Sequence, residues 1–398
     1  MTTILTLNCG SSSLKFDLRR VDPARPGTGS RIAHGSIDAI GPDAASRFVS
    51  VAGVAESQST ARNHPDAFHE AMRLLEPAIS GSPIDAVGHR VVHGGLEFRA
   101  PALIDERVLR AIESAARLAP LHNGAALAAI AASRAWFGDA VPMVATFDTA
   151  FFADLPDVAA SYAIPAVLSD ALHIRRFGFH GIAHRYMVER YRLLHPDRDA
   201  PRVISLQLGA GCSATASIAG RPLDTSMGFT PLEGLIMGTR SGDLDPSLPL
   251  YIAEQQGRSL ADVAALLNHQ SGLLGISGQS ADLRVLLAAC AAGDQRADFA
   301  VRAFSYRVQK YVGAYLAVLG GADAVIFGGG IGEHSPDIRS RVCEAFAWAG
   351  LQLDEGANVI EGDAEHRISA SASTIEAWVI PVDESAVIAA DTAACLHP

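Results

Sequence analysis

The stretch Ile4-Leu5-Thr6-Leu7-Asn8-Cys9-Gly10-Ser11-Ser12-Ser13-Leu14-Lys15-Phe16 decides how this chain is read. An apolar run breaks into small residues and resumes as an alternation of Leu14, Phe16 and Leu18. That pattern predicts two strands joined by a tight turn, not a strand leading into a helix. Gly10 lets the backbone turn, the serines offer hydroxyls and amide N–H groups to an oxyanion, and Lys15 adds a point charge suited to phosphate. The order is not the Gly-x-x-x-x-Gly-Lys-Ser/Thr of a loop that opens a helix. On this segment alone, a phosphate turn and an ordinary serine-rich hairpin are both open.

The same device recurs two hundred residues on. Arg202-Val203-Ile204-Ser205-Leu206-Gln207-Leu208-Gly209-Ala210-Gly211-Cys212-Ser213-Ala214-Thr215-Ala216-Ser217-Ile218 is again strand, Gly/Ser turn, strand. A duplicated hairpin suggests two related domains facing each other, each presenting one phosphate turn. A third turn, Phe327-Gly328-Gly329-Gly330-Ile331-Gly332-Glu333, follows the short strand Val325-Ile326. It runs into Ser335-Pro336-Asp337, read as the cap and first turn of a helix ending near Gly350. A helix start behind a glycine turn suits nucleotide phosphate or ribose.

Bulk properties narrow the class. A chain of 398 residues accommodates two domains with substantial cores. Hydrophobic residues make up 49% and charged residues 19%, without an 18-residue uncharged apolar run, so no membrane association is expected. No basic, cleavable leader precedes the first strand, and the five cysteines (Cys9, Cys212, Cys290, Cys343, Cys395) are scattered without a C-x-x-C pair. Both features predict a cytoplasmic protein without disulfides or structural zinc. The net charge of −11 argues against nucleic acid as a partner and requires any phosphate site to be locally positive.

Along the chain, 23–30 reads as a surface loop, and 66–79 and 105–118 as amphipathic helices. The segment 84–93 reads as a buried strand ending at Gly94-Gly95, 123–137 as an Ala-rich helix and 142–147 as a strand. The first domain ends near 150. Helix 181–194 precedes the second hairpin, and 295–319 is a long helix with Phe299, Val301, Phe304, Val308, Val312 and Leu316 at helical spacing. Strand 377–382 leads into a final helix, 384–397. Strands interleaved with helices give an α/β class, with mixed sheets because hairpins occur beside crossovers.

Four charged residues sit where strands break into glycine or a turn: Arg90 in Gly88-His89-Arg90-Val91-Val92-His93-Gly94-Gly95, Asp148 in Phe147-Asp148-Thr149-Ala150-Phe151, His180 in Gly178-Phe179-His180-Gly181, and Arg240 in Met237-Gly238-Thr239-Arg240-Ser241-Gly242-Asp243-Leu244-Asp245-Pro246. Singly, each has a structural explanation such as a solvated face or a cap. Together with Asn8-Cys9-Gly10-Ser11-Ser12-Ser13-Leu14-Lys15, these motifs, in this order from residue 2 to the last helix, resemble the acetate kinase family.

The resemblance implies two duplicated actin-like (ribonuclease H-like) domains with mixed sheets flanking a central cleft: 1–149 with the last helix from about 385 to 398, and 150–384 for nucleotide binding and dimerisation. It implies transfer of the ATP γ-phosphoryl to a short carboxylate, giving an acyl phosphate and ADP. Magnesium is the implied metal, with manganese as the alternative, and a homodimer through the C-terminal domain the implied assembly. Carried over by position, Arg90, Asp148, His180 and Arg240 are catalytic. Arg90, Val92, Leu121, His122, Phe179 and Pro231 bind the carboxylate and wall its alkyl group. Ser11, Ser13, Lys15, Gln207, Leu208, Gly209, Ala210, Gly211, Asp282, Leu283, Arg284, Gly330, Ile331, Gly332, Glu333 and His334 hold phosphate and nucleotide. Asn8 and Glu384 serve the metal, and Asp148 helps to organise it.

The chemistry agrees independently. A carboxylate with a pKa of about 4 to 5 is ionised at neutral pH and needs no strong base. The difficulty is bringing an anion against a polyanion, which arginines, a lysine, a histidine and a divalent cation relieve. The chain departs from the family where His-Leu-Gly-Asn-Gly is usual and Gln207-Leu208-Gly209-Ala210-Gly211 stands, at His334 in place of Asn, and at Asp383-Glu384-Ser385 in place of Asn-Glu-Glu. These changes gather on the nucleotide side and point to an altered phosphoryl-donor preference or affinity, with another nucleotide or pyrophosphate as candidate donors. Propionate or another short carboxylate is the close alternative to acetate, since one methylene is worth only about 1–3 kcal/mol. A non-catalytic actin-like nucleotide binder is the distant one, and it would not need Arg90, His180 and Arg240 together.

Overall fold

The computed structural model describes the chain apart from residues 23, 51, 52, 81, 82, 117–119, 361, 363 and 398, with backbone alone at 25–28 and 120–122. The chain divides into two compact units, Met1–Ala153 with Asp383–Pro398, and Asp154–Val382.

In the first unit, strands β1 (Thr2–Cys9), β2 (Leu14–Asp22), β3 (Arg25–Asp38), β4 (Ala45–Ser50), β5 (Gly53–Gln58), β6 (Ala86–Val91), β7 (Ala102–Leu103) and β8 (Met143–Phe147) form one sheet in the order β5-β4-β3-β2-β1-β6-β8-β7. β1 runs antiparallel to β2 and parallel to β6, which is parallel to β8. Central in the sheet and covered on both faces, β1 is buried along its whole length. Strand alternation sends its residues to opposite sides. Leu5, Leu7 and Cys9 pack with Phe16, Leu18 and Val87 under the helices His64–Ile79 and Pro120–Phe137. Ile4 packs with Val21 under Ala389 and Ala393 of the terminal helix Glu384–Leu396. By the same alternation Thr6 and Asn8 belong to the face of the terminal helix.

The second unit repeats the plan. β9 (Arg202–Leu208), β10 (Cys212–Ile218), β11 (Arg221–Thr225), β12 (Ala324–Gly328), β13 (His366–Arg367) and β14 (Glu376–Val379) lie in the order β11-β10-β9-β12-β14-β13. The runs β3-β2-β1-β6-β8 and β11-β10-β9-β12-β14 share one order and one set of strand senses. This is the actin-like domain, present twice. Helix Gly181–Leu194 covers Val203, Ala324, Ile326 and Ile380 through Met187, Val188 and Tyr191.

Several expectations are corrected. From Arg25 onward the expected surface loop is β3, paired to β2, and its first position, 23, lies outside the described residues. Pairing overrides a composition that reads as loop. The third glycine turn is itself helical, Gly329–His334, and a second helix runs only from Pro336 to Glu344 before a 3₁₀ turn at Ala347–Ala349. Ser335 closes the first of these helices through its N–H to Ile331 O (3.0 Å), and its side chain makes no cap. Phe299 is 56% exposed, out of phase with the buried Val301, Phe304, Val308 and Val312. The expected 105–118 helix is Glu106–Ala115, and 117 and 118 lie outside the described residues.

Candidate active site

In the first unit the side chains singled out from the sequence stand at the carboxyl ends of parallel strands, where open α/β sheets bind ligands. Asn8 is next to last in β1, Arg90 lies near the end of β6, and Asp148 follows β8 in the 3₁₀ turn Asp148–Phe152. Arg90 joins them. Its Nε and Nη2 donate to Asp148 Oδ2 at 3.2 and 2.7 Å, and Nη1 donates to Asn8 Oδ1 at 3.0 Å. Glu384, first residue of the terminal helix, places Oε2 3.6 Å from Arg90 Nη1 and accepts from Asn8 Nδ2. Burial works against the guanidinium's charge, but the carboxylates of Asp148 and Glu384 outweigh it and hold its pKa above the ordinary arginine range.

The hairpin turn beside these groups is tight. A Cβ on Gly10 would come within 2.6 Å of Ser13 Oγ, and Gly10 N donates to Ser13 O at 2.9 Å. Ser11 and Lys15 are exposed and Ser13 is half-buried, with Lys15 opposite Asn8 in the β1–β2 register. His64 Nε2 lies 2.9 Å from Gly10 O and steadies the turn from outside. Val92 is buried. The side chains of Leu121 and His122 lie outside the described residues.

In the second unit the loops converge. A Cβ on Gly211 would lie 3.3 Å from His180 Cε1 and 3.5 Å from Arg240 Nη1. One on Gly238 would lie 3.3 Å from both Ala210 O and Ala281 O, which ties the 209–211 turn to the segment leading into Asp282. One on Gly329 would meet Leu208 O at 2.6 Å and Gln207 Nε2 at 2.9 Å, and with φ at +73° this position admits only glycine. His180, Gln207, Leu208, Ala210, Gly211, Arg240 and the start of the 329–334 turn are therefore one neighbourhood.

His180 holds a left-handed conformation (φ +57°) at the start of its helix, a strained geometry for a non-glycine residue. Its Nδ1 is 2.9 Å from Ser213 Oγ, whose other neighbour is His184 Nε2 at 2.7 Å; His184 Nδ1 in turn meets Ser205 Oγ at 2.8 Å. Burial drives His184 down to about 3, so it is a neutral brace. Arg240 differs from Arg90. Its Nη1 donates to Pro231 O at 3.1 Å and lies 3.6 Å from Met237 Sδ, and it makes no ion pair among the described residues. Burial pulls its pKa below the ordinary range, with only the Cys212 sulfur opposing. A desolvated cation without a carboxylate is set to receive an anion.

Among the residues expected to hold the nucleotide, Arg284 (side chain 91% exposed) folds onto its helix-capping neighbour Asp282, with Nη2 2.6 Å from Oδ2. Leu283 is buried, whereas Gly330 and His334 are exposed. Glu333 turns its Oε1 back to Gly329 N (2.7 Å) and Val382 N (3.1 Å), so this oxygen closes the turn. Phe179 is buried and Pro231 half-buried.

A model of the acetokinase family matches residues 3–390. The chain belongs to the acetokinase family. Acetate kinase of Solibacter usitatus is 48% identical over 412 aligned residues, and that of Chloroherpeton thalassium 46% over 411; each match covers 99% of both chains. The crystal structure of Porphyromonas gingivalis acetate kinase resembles this one with a TM-score of 0.89 at 37% identity over 100% of each chain. A propionate kinase from Francisella tularensis subsp. tularensis gives 0.90 at 37% identity, covering 98% of this chain and 99% of that one.

Several residues of this acetokinase-family site escape sequence reading. His184 and Ser213 brace His180, and the signal for the first is its position one helical turn after His180. Arg339, 1% exposed and without an acidic partner among the described residues, donates from Nη1 to the carbonyls of Gly332 and Glu333 at 2.9 and 2.8 Å and so holds the 329–334 turn. Nothing in its sequence context distinguishes it from a surface arginine.

Proposed function

We propose that this protein is an acetate kinase, transferring the γ-phosphoryl group of ATP to acetate to give acetyl phosphate and ADP by direct in-line displacement. The observation that carries the reading is Arg240, a desolvated guanidinium with no carboxylate beside it among the described residues, next to the Cε1–Nε2 edge of His180 and the Gly211 turn. The nucleophile arrives already ionised, with a pKa of about 4 to 5, so the protein's task is to overcome anion–anion repulsion. Arg240 and His180 of the second unit are suited to spreading the charge of a phosphoryl group, and Arg90 and Lys15 of the first unit supply charge of the same kind. The amides of the 209–211 and 329–334 turns, with Asp282 and Arg284, hold the nucleotide. By the family pattern, Val92 of the first unit and Phe179 and Pro231 of the second are assigned to the short alkyl group.

Asp148, Glu384 and Asn8 suit magnesium bound with a nucleotide. Two carboxylates and an amide around one guanidinium match an ion that keeps waters and shares phosphate oxygens. No group of three or more His, Cys, Asp or Glu side chains among the described residues forms a self-sufficient metal cage. When bound, magnesium would neutralise charge on the transferring phosphates. Asp148 then acts by holding Arg90 and the metal's surroundings, not as a proton acceptor.

The protein works in the cytoplasm: its cysteines are free, and no described helix is long and apolar enough to cross a membrane. It assembles as a homodimer through its second unit. Helix Ser247–Gln256 buries none of its residues and exposes Leu250 and Tyr251 at 61% and 60%. The deciding assay traps acyl phosphate as its hydroxamate, with acetate, propionate and butyrate as acceptors and ATP, other nucleoside triphosphates and pyrophosphate as donors. Hydroxamate from acetate with ATP is the expected result; none from any pair refutes the reading. Sedimentation of the same preparation should give twice the monomer mass.

A further inference from the structure

The face of the first sheet that carries the terminal helix changes character along its length. At one end Ile4 and Val21 meet Ala389 and Ala393. At the other, Asn8, Arg90 and Glu384 gather. Between them lie four charges. Arg19 Nη2 reaches Asp17 Oδ2 at 3.1 Å and Asp383 Oδ2 as well, while Arg31 places Nε 2.7 Å from Asp17 Oδ2 and Nη2 3.0 Å from Asp383 Oδ2. Asp17 and Arg19 are 3% and 7% exposed at their side chains.

This cluster is poorly built for stability. Buried ion pairs commonly contribute less than apolar residues of the same size, and this one leaves Asp17 Oδ1 and Arg19 Nε buried with no hydrogen-bond partner. What it does well is hold a position. Asp383 is the first residue after the chain returns from the second unit, and its Oδ1 caps the terminal helix through Ala386 N at 3.0 Å. Just before it, Val382 N is held by Glu333. Just after it comes Glu384. Pinning Asp383 by two arginines therefore fixes both the origin and the direction of the helix that presents the Glu384 carboxylate.

We propose that Asp17, Arg19, Arg31 and Asp383 form a positioning quartet that sets the Glu384 carboxylate against Asn8 and Arg90 and thereby governs how the protein holds magnesium–nucleotide. The second half of the statement rests on the proposed kinase reading; the first does not. Aspartate suits this role at 383, because a neutral asparagine caps a helix but attracts two arginines far less.

Two measurements test it in the full-length protein. In Arg19→Met and Asp383→Asn, amide hydrogen exchange at residues 384–388 of the ligand-free protein should accelerate by about 10-fold or more, local opening being the route that positioning suppresses. In the same variants KM for magnesium–ATP should rise about 10-fold, with KM for the carboxylate held within about twofold. A lower melting temperature with exchange and both Michaelis constants unchanged would mark the quartet as merely structural and overturn the proposal. Equal weakening of both substrates would overturn it too. If Arg19→Met fails to fold, Arg31→Gln, whose side chain is 41% exposed, carries the same test. Wild-type protein without acyl phosphate activity would refute the kinase reading, and the exchange measurement would still judge the quartet.

Discussion

Arg90 and Arg240 are the same residue type in opposite electrostatic situations. Arg90 is engaged by Asp148, Asn8 and Glu384, so its charge is shared before any substrate arrives. Arg240 leans on a carbonyl and a thioether and keeps its charge available. The difference can be probed without touching either arginine. Gly211→Ala should fold normally, because its φ is not in the left-handed region and the added methyl meets His180 and Arg240 only at 3.3 and 3.5 Å. That methyl would occupy space we assign to phosphoryl oxygens, so kcat should fall by roughly 100-fold, the scale of losing one well-placed charge-stabilising contact. Unchanged turnover in a well-folded Gly211→Ala would remove Gly211 from the site. Turn chemistry and isolated charges made these residues visible in the sequence. The braces were not: His184 is marked only by standing one helical turn after His180, and Ser213 and Arg339, a hydroxyl and a buried arginine bonded to carbonyls, leave no pattern in a single chain.

Elements decide where those residues stand, and the terminal helix is the clearest case. It lies so close to β6 that a Cβ on Gly88 would come 2.4 Å from Thr392 Oγ1 and 2.7 Å from Ile388 Cγ2. Gly88→Ala should therefore cost about 1–3 kcal/mol as overpacking, read as a lower melting temperature. It should also depress turnover, because Glu384 rides on the displaced helix. Adding Thr392→Ala relieves the nearer clash and should recover part of both losses; a single variant as stable and active as wild type would show that the helix shifts freely. Hairpins and long helices were legible: Gly181–Leu194 and Gln295–Leu319 have the residue ranges the periodicity predicts. β4 and β5 were not, since Ala45–Ser50 and Gly53–Gln58 bear few apolar side chains and exist through pairing at the sheet's outer edge. The 329–334 turn was misread because its three glycines, behind Gly328, signal a loop, whereas Glu333 within it and Arg339 from outside it stabilise it as helix.

At the scale of the whole molecule, buried titrating groups set a response to acid. Burial pushes His89 to about 3, His93 to about 4 and His184 to about 3, so each stays neutral in the folded protein well below the pH at which a solvated imidazole takes up a proton. Their stabilising contribution is present above about pH 6.5 and is lost as the pH falls toward those depressed values, because the unfolded chain binds protons that the folded one refuses. Asp17 works with the opposite sign. Burial raises it to about 6 against the pull of Arg19 and Arg31, so near pH 5 the folded state holds a proton there that the unfolded state has released. Three protons favouring unfolding against one favouring folding leave roughly two, and stability should drop by about 2–3 kcal/mol per pH unit near pH 5. Melting temperature measured from pH 7.5 to 4.5 should fall accordingly. His184→Gln should flatten that fall by about one proton's worth, and Asp17→Asn should steepen it, since it removes the group that opposes the histidines. A melting temperature that stays level from pH 6.5 to 4.5, or an Asp17→Asn variant with the shallower slope, would contradict the assignment of these charges to the interior.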